Sequence, residues 1–271
     1  MKASVIISTY NSPDWLEKVL WGYSVQTEDD FEIVIADDGS TKETNQILTS
    51  IKAKTQLSII HVWHKDEGFQ KTRILNKAIL ASNTDYCIFT DGDCIPRKDF
   101  VETHLKFRSK NYFLSGGHFP LSKNLSKLIS KNNILSQECF DLKWLKNKGL
   151  KASFKNTKLA KSKSVALFMN FITPTRPTWN GGNASAWKKD ILAINGFDER
   201  MKYGGEDREF GERLVNNGIQ PLKVRYLAII VHLEHERGYV NDEAWKINNE
   251  IREQTRKEKK VKTSYGINLH A

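Results

Sequence analysis

The first hundred residues alternate between short apolar runs and amphipathic helical patterns, and no other feature of the sequence constrains the fold as much. β-branched and aromatic residues fill the apolar runs, and Ser12 followed by Pro13 is typical of a helix start. Strands that alternate with helices in this way form a mostly parallel sheet with helices on both faces. We therefore predict an α/β fold, with strands over 3–8, 31–36, 57–63 and 85–89 and helices over 13–23, 41–53 and 69–82.

Polar clusters follow each of these strands. In an open parallel sheet, ligands bind beyond the carboxyl ends of the strands. Asp91 and Asp93 place two carboxylates one residue apart behind a buried run, where like charges repel each other. A divalent metal, a bound polar ligand and a plain acidic turn are the three explanations that this spacing leaves open. The four clusters are STYN (8–11), DDGS (37–40), HKDEG (64–68) and DGD (91–93).

The motifs and the composition exclude several classes of protein. The sequence contains no GxxxxGKS/T loop, no GxGxxG after the first strand and no GxSxG, and HLEHE does not match the zinc-protease motifs. The three cysteines offer no disulfide framework, so we expect a reducing, cytoplasmic environment. The longest clear apolar run, LAIIV at 227–231, is too short to span a membrane.

A net charge of +10 suits nucleic acid, an anionic membrane or an acidic substrate as a partner, and it equally suits solvated helix faces. The basic residues concentrate in 122–163 and in the C-terminal REQTRKEKKVK. An aromatic RNP-like strand is missing, so we expect no nucleic-acid partner. The stretch 122–163 also carries apolar residues, as a helix lying on an anionic membrane would. The alternative is that these residues pack on the core. They are Leu125, Leu128, Ile129, Leu135 and Trp144.

The second half carries further acidic residues and histidines. Glu206 and Asp207 follow a glycine pair and open a predicted helix, where acids also suit the helix dipole. The segment LKVRYLAIIVHLEHE is predicted as one late strand that ends at His232 and His235. Carboxylates combined with an imidazole and open positions suit a hard cation such as Mn²⁺ or Mg²⁺, which completes its shell with phosphate oxygens.

Six stretches, in this order, resemble the inverting family 2 glycosyltransferases. They are VIISTYN, IVIADDGS, KDEGFQKTRILNKAI, FTDGDC, WNGGNASAW and GFDERMKYGGEDREFGERL. The last resembles a galactosyltransferase-type segment, and KDEGFQ and DGD are similar to the transferase domains of bacterial chondroitin polymerases. The resemblance covers about 1–100 and 179–240 and leaves 105–178 uncovered. It implies a GT-A fold, in which a Rossmann-like sheet forms a single domain with a helical insertion on the acceptor side.

The resemblance also implies a domain organisation. A glycosyltransferase domain would occupy 1–240, and a charged helical tail would occupy 241–271. Within the domain we expect a nucleotide-sugar-binding half over 1–100, a variable basic insertion over 101–178 and an acceptor and catalytic half over 179–240.

For the donor, the resemblance implies a nucleotide site formed by the first two polar clusters and by the segment that contains Arg73. Ser8, Thr9 and Tyr10 would hold the nucleotide base, with Tyr10 as a stacking ring. Asp38 would accept a hydrogen bond from uracil, and Arg73 lies in a segment that helps to bind the nucleotide.

For the metal and the acceptor, the resemblance assigns the remaining acids and histidines. Asp91 would face the ribose and accept hydrogen bonds from sugar hydroxyls, and Asp93 would ligate the metal. His232 or His235 would be the second metal ligand, and the sequence does not separate the two. Glu206 and Asp207 would form the acidic pair of the acceptor site, with Asp207 as the base.

The implied activity is transfer of a sugar from a UDP-linked donor to a hydroxyl of a glycan or lipid-linked saccharide, in bacterial surface polysaccharide or lipopolysaccharide synthesis. We expect a cytoplasmic enzyme, with possible peripheral contact with an anionic membrane. A nucleotidyltransferase would carry a glycine-rich basic loop after the first strand, which STYNSPDW lacks. The other alternative is a non-catalytic nucleotide-sugar or polyanion-binding protein of the same fold. Such a non-catalytic protein would be expected to lack Asp207 or the two aspartates of DGD, and this sequence contains all three.

Overall fold

The structure is a computed structural model that describes residues 1–234 and 242–270. Within these residues the strands are β1 (Ala3–Thr9), β2 (Phe31–Asp37), β3 (Ile59–Trp63), β4 (Tyr86–Asp91), β5 (Cys94–Pro96), β6 (Tyr112–Ser115), β7 (Gly117–Pro120), β8 (Ala184–Trp187), β9 (Gln220–Lys223) and β10 (Ile229–His232). The α-helices are α1 (Pro13–Tyr23), α2 (Lys42–Lys54), α3 (Lys71–Ala81), α4 (Phe100–Phe107), α5 (Lys123–Leu128), α6 (Lys131–Leu135), α7 (Leu142–Asn147), α8 (Lys163–Ile172), α9 (Lys188–Ala193), α10 (Glu206–Asn216) and α11 (Asp242–Lys257). Short 3₁₀ helices lie at Glu138–Phe140, Phe154–Leu159 and Ile267–Leu269.

A seven-stranded sheet forms the centre, with the strand order β3-β2-β1-β4-β8-β6-β9. Among the described strands of this sheet, β8 alone runs against the others. The register pairs Thr9 with Asp37 and Ser8 with Asp91, so the polar ends of β1, β2 and β4 lie side by side. This topology confirms the predicted α/β fold with a mostly parallel sheet.

Helices cover both faces of the sheet because strand residues alternate between two apolar layers. On one face, Leu16 of α1 and Leu48 of α2 pack on the sheet. On the other face, Leu75 of α3 and Phe210 of α10 do the same. A second sheet, with the order β5-β10-β7, packs in the first of these layers and carries His232 at the end of β10.

The start of α1 follows the sequence pattern only in part. The helix begins at Pro13, as expected, since the fixed backbone of proline suits the first helical position. Ser12 occupies the N-cap position, but its hydroxyl donates to the Tyr10 carbonyl oxygen and caps no helical amide.

The single late strand predicted over 222–236 is wrong. The chain forms β9 in the large sheet, turns where the Leu227 and Ala228 amides donate to Val224, and then forms β10 in the small sheet. The apolar run continues through the turn because the turn itself is buried, so hydrophobicity alone does not reveal the break.

The stretch predicted as a variable insertion is partly integrated into the sheets. β6 lies between β8 and β9, and β7 pairs with β10. The helices that follow, α5 to α7, are five or six residues long, so they do not form the extended surface helix that the lysine pattern suggested. Leu125 and Ile129 are fully buried in the core, whereas Leu128 and Leu135 are exposed.

The charged tail begins with a helix, as predicted, and this helix packs on the body of the protein. The Asn248 amide of α11 donates to the Lys202 and Gly204 carbonyl oxygens, which lie just before α10. The Thr255 hydroxyl donates to Glu209 of α10. Among the described residues, no helix is both long enough and apolar enough to cross a membrane.

Candidate active site

A cleft of about 700 Å³ opens at the carboxyl ends of β1, β2 and β4. A second cleft, about 760 Å³, lies beside Trp144 and Leu227, and none of the predicted site residues that the structure describes lines it. The chemistry therefore concentrates in the first cleft. Its polar and charged lining includes Ser8, Thr9, Tyr10, Asp38, Lys71, Asp91, Asp93, Glu206, Asp207 and His232.

Asp91 is held from two sides at the end of β4. The Ser8 hydroxyl donates to its Oδ1 atom at 2.6 Å, and the Lys71 ammonium group donates to the same atom at 2.8 Å. Gly182 passes so close that a Cβ there would lie 3.2 Å from Asp91 Oδ2. Asp91 is thus oriented by the protein, and part of its carboxylate stays open to the cleft.

Asp93, Cys94 and His232 form a cluster whose ligand atoms lie within 4.8 Å of one another. The antiparallel pairing of β5 with β10 places His232 opposite Cys94, and His232 Nε2 lies 3.5 Å from Asp93 Oδ2. Burial and the adjacent Asp93 and Asp91 raise the pKa of the Cys94 thiol well above its usual value. The thiol therefore stays protonated, and Asp93 and His232 are the donors that suit a hard cation.

Glu206 and Asp207 lie at the N-terminus of α10, on the side of the cleft that faces Lys71. Glu206 Oε2 accepts a hydrogen bond from the Gly204 amide at 2.8 Å. Asp207 Oδ1 is buried and has no hydrogen-bond partner among the described residues. A Cβ at Gly181 would lie 2.7 Å from this oxygen, so only glycine lets the chain pass beside the carboxylate. Asp207 Oδ1 thus lies in a desolvated position, which raises the pKa of Asp207, while the Gly181 amide beside the carboxylate opposes this rise and favours the ionised form.

The charges of this acidic pair are set by burial and by Lys71. Burial, and then the neighbouring Asp207, raise the pKa of Glu206 to about 7. Burial also raises the pKa of Asp207, an effect that Lys71 opposes and Asp91 reinforces. Although burial opposes its charge, the surrounding carboxylates raise the pKa of Lys71 well above its usual value. Lys71 therefore remains a cation between three acidic groups.

The predicted base-binding residues lie at the rim of the same cleft. Tyr10 lines the cleft and is half exposed, and its hydroxyl donates to Asp66 at 2.8 Å, so the position of the ring is fixed while part of it stays accessible. Asp38 contacts His64 Nε2 at 2.8 Å and accepts from the Gln70 amide at 2.9 Å. A carboxylate has about four lone-pair sites, so Asp38 can accept a further bond from a ligand.

One predicted residue, Arg73, does not line this cleft, and another, His235, lies outside the described residues. Arg73 contacts Gln70 and Glu67 and is not among the cleft-lining residues that the structure describes. Lys71 lies two positions earlier, and two helical positions differ by about 200° in direction, so the two side chains point to opposite sides. His235 lies outside the described residues, whereas His232 lies beside Asp93.

Sequence reasoning missed several residues of the site. Lys71, which balances the acidic groups, is one basic residue among 42, and its position at the start of α3 was the only signal. The Phe69 and Tyr203 rings meet edge to face at 6.1 Å and line the cleft, although they lie far apart in the sequence. Trp245 of α11 meets Tyr203 in turn, so the tail supports the site.

Solved structures share this fold. TarS of S. aureus in complex with UDP-GlcNAc superposes with a TM-score of 0.60 at 16% identity, covering 93% of this chain and 65% of that one. A mannosyltransferase of Pyrobaculum calidifontis in complex with GDP-Man and Mn²⁺ gives 0.58 at 17% identity, covering 92% and 60%. These likenesses confirm the expected GT-A fold.

Sequence comparisons identify the family. Chondroitin synthase of Escherichia coli is 27% identical over 238 residues, which cover 79% of this chain and 32% of that protein. This chain thus spans only part of that relative's length. The family described as "Glycosyl transferase family 2" matches residues 4–163, and that described as "N-terminal domain of galactosyltransferase" matches 169–236. These matches include most of the stretch 105–178 that we expected to lie outside the resemblance. Since the first match covers more than half of the chain, the chain belongs to glycosyl transferase family 2.

Proposed function

We propose that this chain is a metal-dependent inverting glycosyltransferase that moves a sugar from a UDP-linked donor to a hydroxyl of a glycan or lipid-linked saccharide. The observation that carries the proposal is that Asp207 lines the cleft together with Asp93 and His232 and that its Oδ1 atom has no hydrogen-bond partner among the described residues. A proton acceptor and a cation-binding pair on one cleft are what displacement of a nucleoside diphosphate by a hydroxyl requires.

The donor half of the cleft suits a nucleotide. Tyr10 offers a stacking face, and Asp38 is an acceptor for an N–H group of a base. Asp91, held by Ser8 and Lys71, keeps one oxygen for sugar hydroxyls. TarS, a neighbour of the same fold, binds UDP-GlcNAc, which supports a UDP-linked donor here.

Asp93 and His232 would hold the divalent cation, for which Mn²⁺ or Mg²⁺ fits the donor set. When bound, the ion supplies Lewis-acid stabilisation of the negative charge on the departing diphosphate. The two protein ligands leave the remaining coordination positions to phosphate oxygens and water. The neighbouring mannosyltransferase contains Mn²⁺ with its nucleotide sugar, which supports this choice.

Asp207 would take the proton of the acceptor hydroxyl. Lys71 opposes the effect of burial on Asp207 and favours its ionised form, while Glu206 is occupied by the Gly204 amide. One base and no second nucleophile suffice for a single in-line displacement, so the anomeric configuration inverts. The acceptor we propose is a bacterial surface glycan or its lipid-linked precursor, on the cytoplasmic side of the membrane. The name of the Escherichia coli relative, a glycan synthase, supports the glycan part of this proposal.

The test is the Asp207→Asn variant, which keeps the shape of the side chain but cannot accept the proton. With Mn²⁺ and a panel of UDP-sugars and saccharide acceptors, we expect the rate of UDP release to fall about 10²–10⁴-fold. The affinity for UDP, measured by calorimetry, should stay near that of the wild type.

The matched control is Asp190→Asn on α9. Asp190 is also buried, with an unpartnered Oδ2 atom and a pKa raised by burial, but it does not line the cleft. Its variant should keep the wild-type rate. If Asp207→Asn also keeps that rate, Asp207 is not the base. If the wild type binds UDP-sugars but releases no UDP with any acceptor, the non-catalytic alternative is correct.

A further inference from the structure

The outward face of α8 is apolar and exposed. Phe171 is 86% exposed, Phe168 is 61% exposed and Leu167 is 51% exposed. Phe154, in the preceding 3₁₀ helix, is 68% exposed. Of the 19 large hydrophobic side chains that are exposed in the described residues, six lie within 154–172. Exposed apolar side chains that occur singly are ordinary, but a contiguous patch marks an interaction site.

This apolar face is fixed in its orientation. Ala166 and Met169 on the opposite side of α8 are buried against the core. The Asn170 side chain donates to the Lys223 carbonyl oxygen at 2.7 Å and accepts from the Tyr226 amide at 3.3 Å. The exposed side chains therefore cannot turn inward without breaking these contacts, and a helix that is apolar on both sides needs a second apolar surface.

The chain on either side of α8 is rich in basic residues, although Leu167 also lines the second cleft together with Glu102 and Asp141. The segment 142–189 contains eleven lysine and arginine residues and no aspartate or glutamate. Lys151, Lys155 and Lys163 are exposed beside the apolar side chains. We call these three lysines together with Phe154, Val165, Leu167, Phe168, Phe171 and Ile172 the α8 surface.

We propose that the α8 surface docks on an anionic lipid bilayer, with its aromatic and aliphatic side chains in the acyl boundary and its lysines among the headgroups. A second copy of the chain would bring the exposed lysines of two α8 surfaces together, so charge repulsion disfavours that occupant. A soluble polyanion would match the lysines but would leave the phenyl rings in water. Interfacial helices combine these two features, an apolar face and flanking cations.

The docking surface adjoins the metal end of the cleft. The Lys158 ammonium group, in the 3₁₀ helix that carries Phe154, donates to the His118 carbonyl oxygen at 2.9 Å. The His118 ring lies 6.3 Å from the His232 ring. A bilayer in contact with the α8 surface would therefore lie close to the cleft.

The test is cosedimentation of the full chain with vesicles, without donor or metal. One set is pure phosphatidylcholine, and the other also contains phosphatidylglycerol, whose negative headgroups attract polybasic segments. We expect binding to the anionic vesicles alone, weakening as salt rises from low to physiological. Phe168→Ser/Phe171→Ser should weaken binding about tenfold for each ring lost. Lys155→Gln/Lys163→Gln should weaken it about fivefold for each charge lost.

Matched controls use exposed residues elsewhere. Leu128→Ser/Leu135→Ser and Lys42→Gln/Lys52→Gln should bind as the wild type does, and Phe171→Trp should retain binding. Equal recovery with both vesicle types, recovery with neither, or unchanged binding of the phenylalanine double variant would overturn the proposal. A concentration-dependent dimer that this double variant loses would instead identify a second copy as the occupant. All variants change exposed side chains, so thermal unfolding should be unaltered and serves as the folding check.

Discussion

Replacing Glu206 with glutamine should stabilise the protein at alkaline pH. Burial raises the pKa of this carboxyl from 4.5 to about 7. A carboxyl whose pKa is higher in the folded state binds its proton more tightly there, so the free energy of unfolding falls as pH rises between the two values. A pKa shift of this size lowers the free energy of unfolding by about 3 kcal/mol in total as pH rises, and roughly 2.5 kcal/mol of this decrease falls between pH 5 and pH 8. Glutamine stays neutral and can still accept the bond from the Gly204 amide.

The assay is thermal or urea unfolding of wild type and Glu206→Gln at pH 5 and pH 8, without metal. The variant should exceed the wild type in free energy of unfolding only slightly at pH 5, and this difference should grow by about 2–3 kcal/mol between pH 5 and pH 8. Each kcal/mol corresponds to about 2–4 °C in Tm. Glu43→Gln is the matched control, since Glu43 is an exposed acid in the first turn of α2. Glu43→Gln should lower the free energy of unfolding by a few tenths of a kcal/mol, because a negative charge in the first turn stabilises a helix through its dipole. An advantage of Glu206→Gln that is absent at pH 8, or equal at both pH values, would refute the reasoning.

Three further variants test separate parts of the site. Asp93→Ala should remove the increase in UDP affinity that Mn²⁺ produces, and an unchanged metal response by calorimetry would rule out Asp93 as a ligand. Gly181→Ala should displace Asp207 and lower the transfer rate about 10²-fold with UDP affinity intact, whereas a wild-type rate would mean that the carboxylate position is not critical. Lys71→Met removes the positive charge beside Asp207, so the acid limb of the pH–rate profile should move to higher pH, and an unmoved limb would show that Lys71 does not set this pKa.

The donor half of the fold could be predicted from the sequence because its signals are local. β1, β2 and β4 are buried apolar runs that end in polar clusters, and parallel pairing necessarily gathers those ends at one edge. Asp91 and Asp93 were therefore identified as site residues before the structure was considered. Their individual roles stay predictions.

Other features depend on contacts between distant parts of the chain, which local patterns do not encode. Lys71 belongs to the site because α3 brings it to Asp91, and the contact of His64 with Asp38 requires β3 to lie beside β2. The lysine-rich stretch 122–163 shows the same dependence on tertiary contacts. Leu125 and Ile129 pack inward and Leu128 and Leu135 are exposed, although the sequence pattern does not distinguish the two pairs. Composition does not tell which side of a short helix meets the core.

The most direct test of the proposed mechanism is the configuration of the first product, observed by ¹H NMR before mutarotation. The wild-type chain is incubated with Mn²⁺ and a UDP-sugar whose anomeric carbon is in the α configuration, with water or a saccharide as the acceptor. Because Asp207 activates the acceptor for one displacement, the product should appear as the β anomer, and Asp207→Asn should slow its formation about 10²–10⁴-fold. A product that appears first as the α anomer would contradict the account.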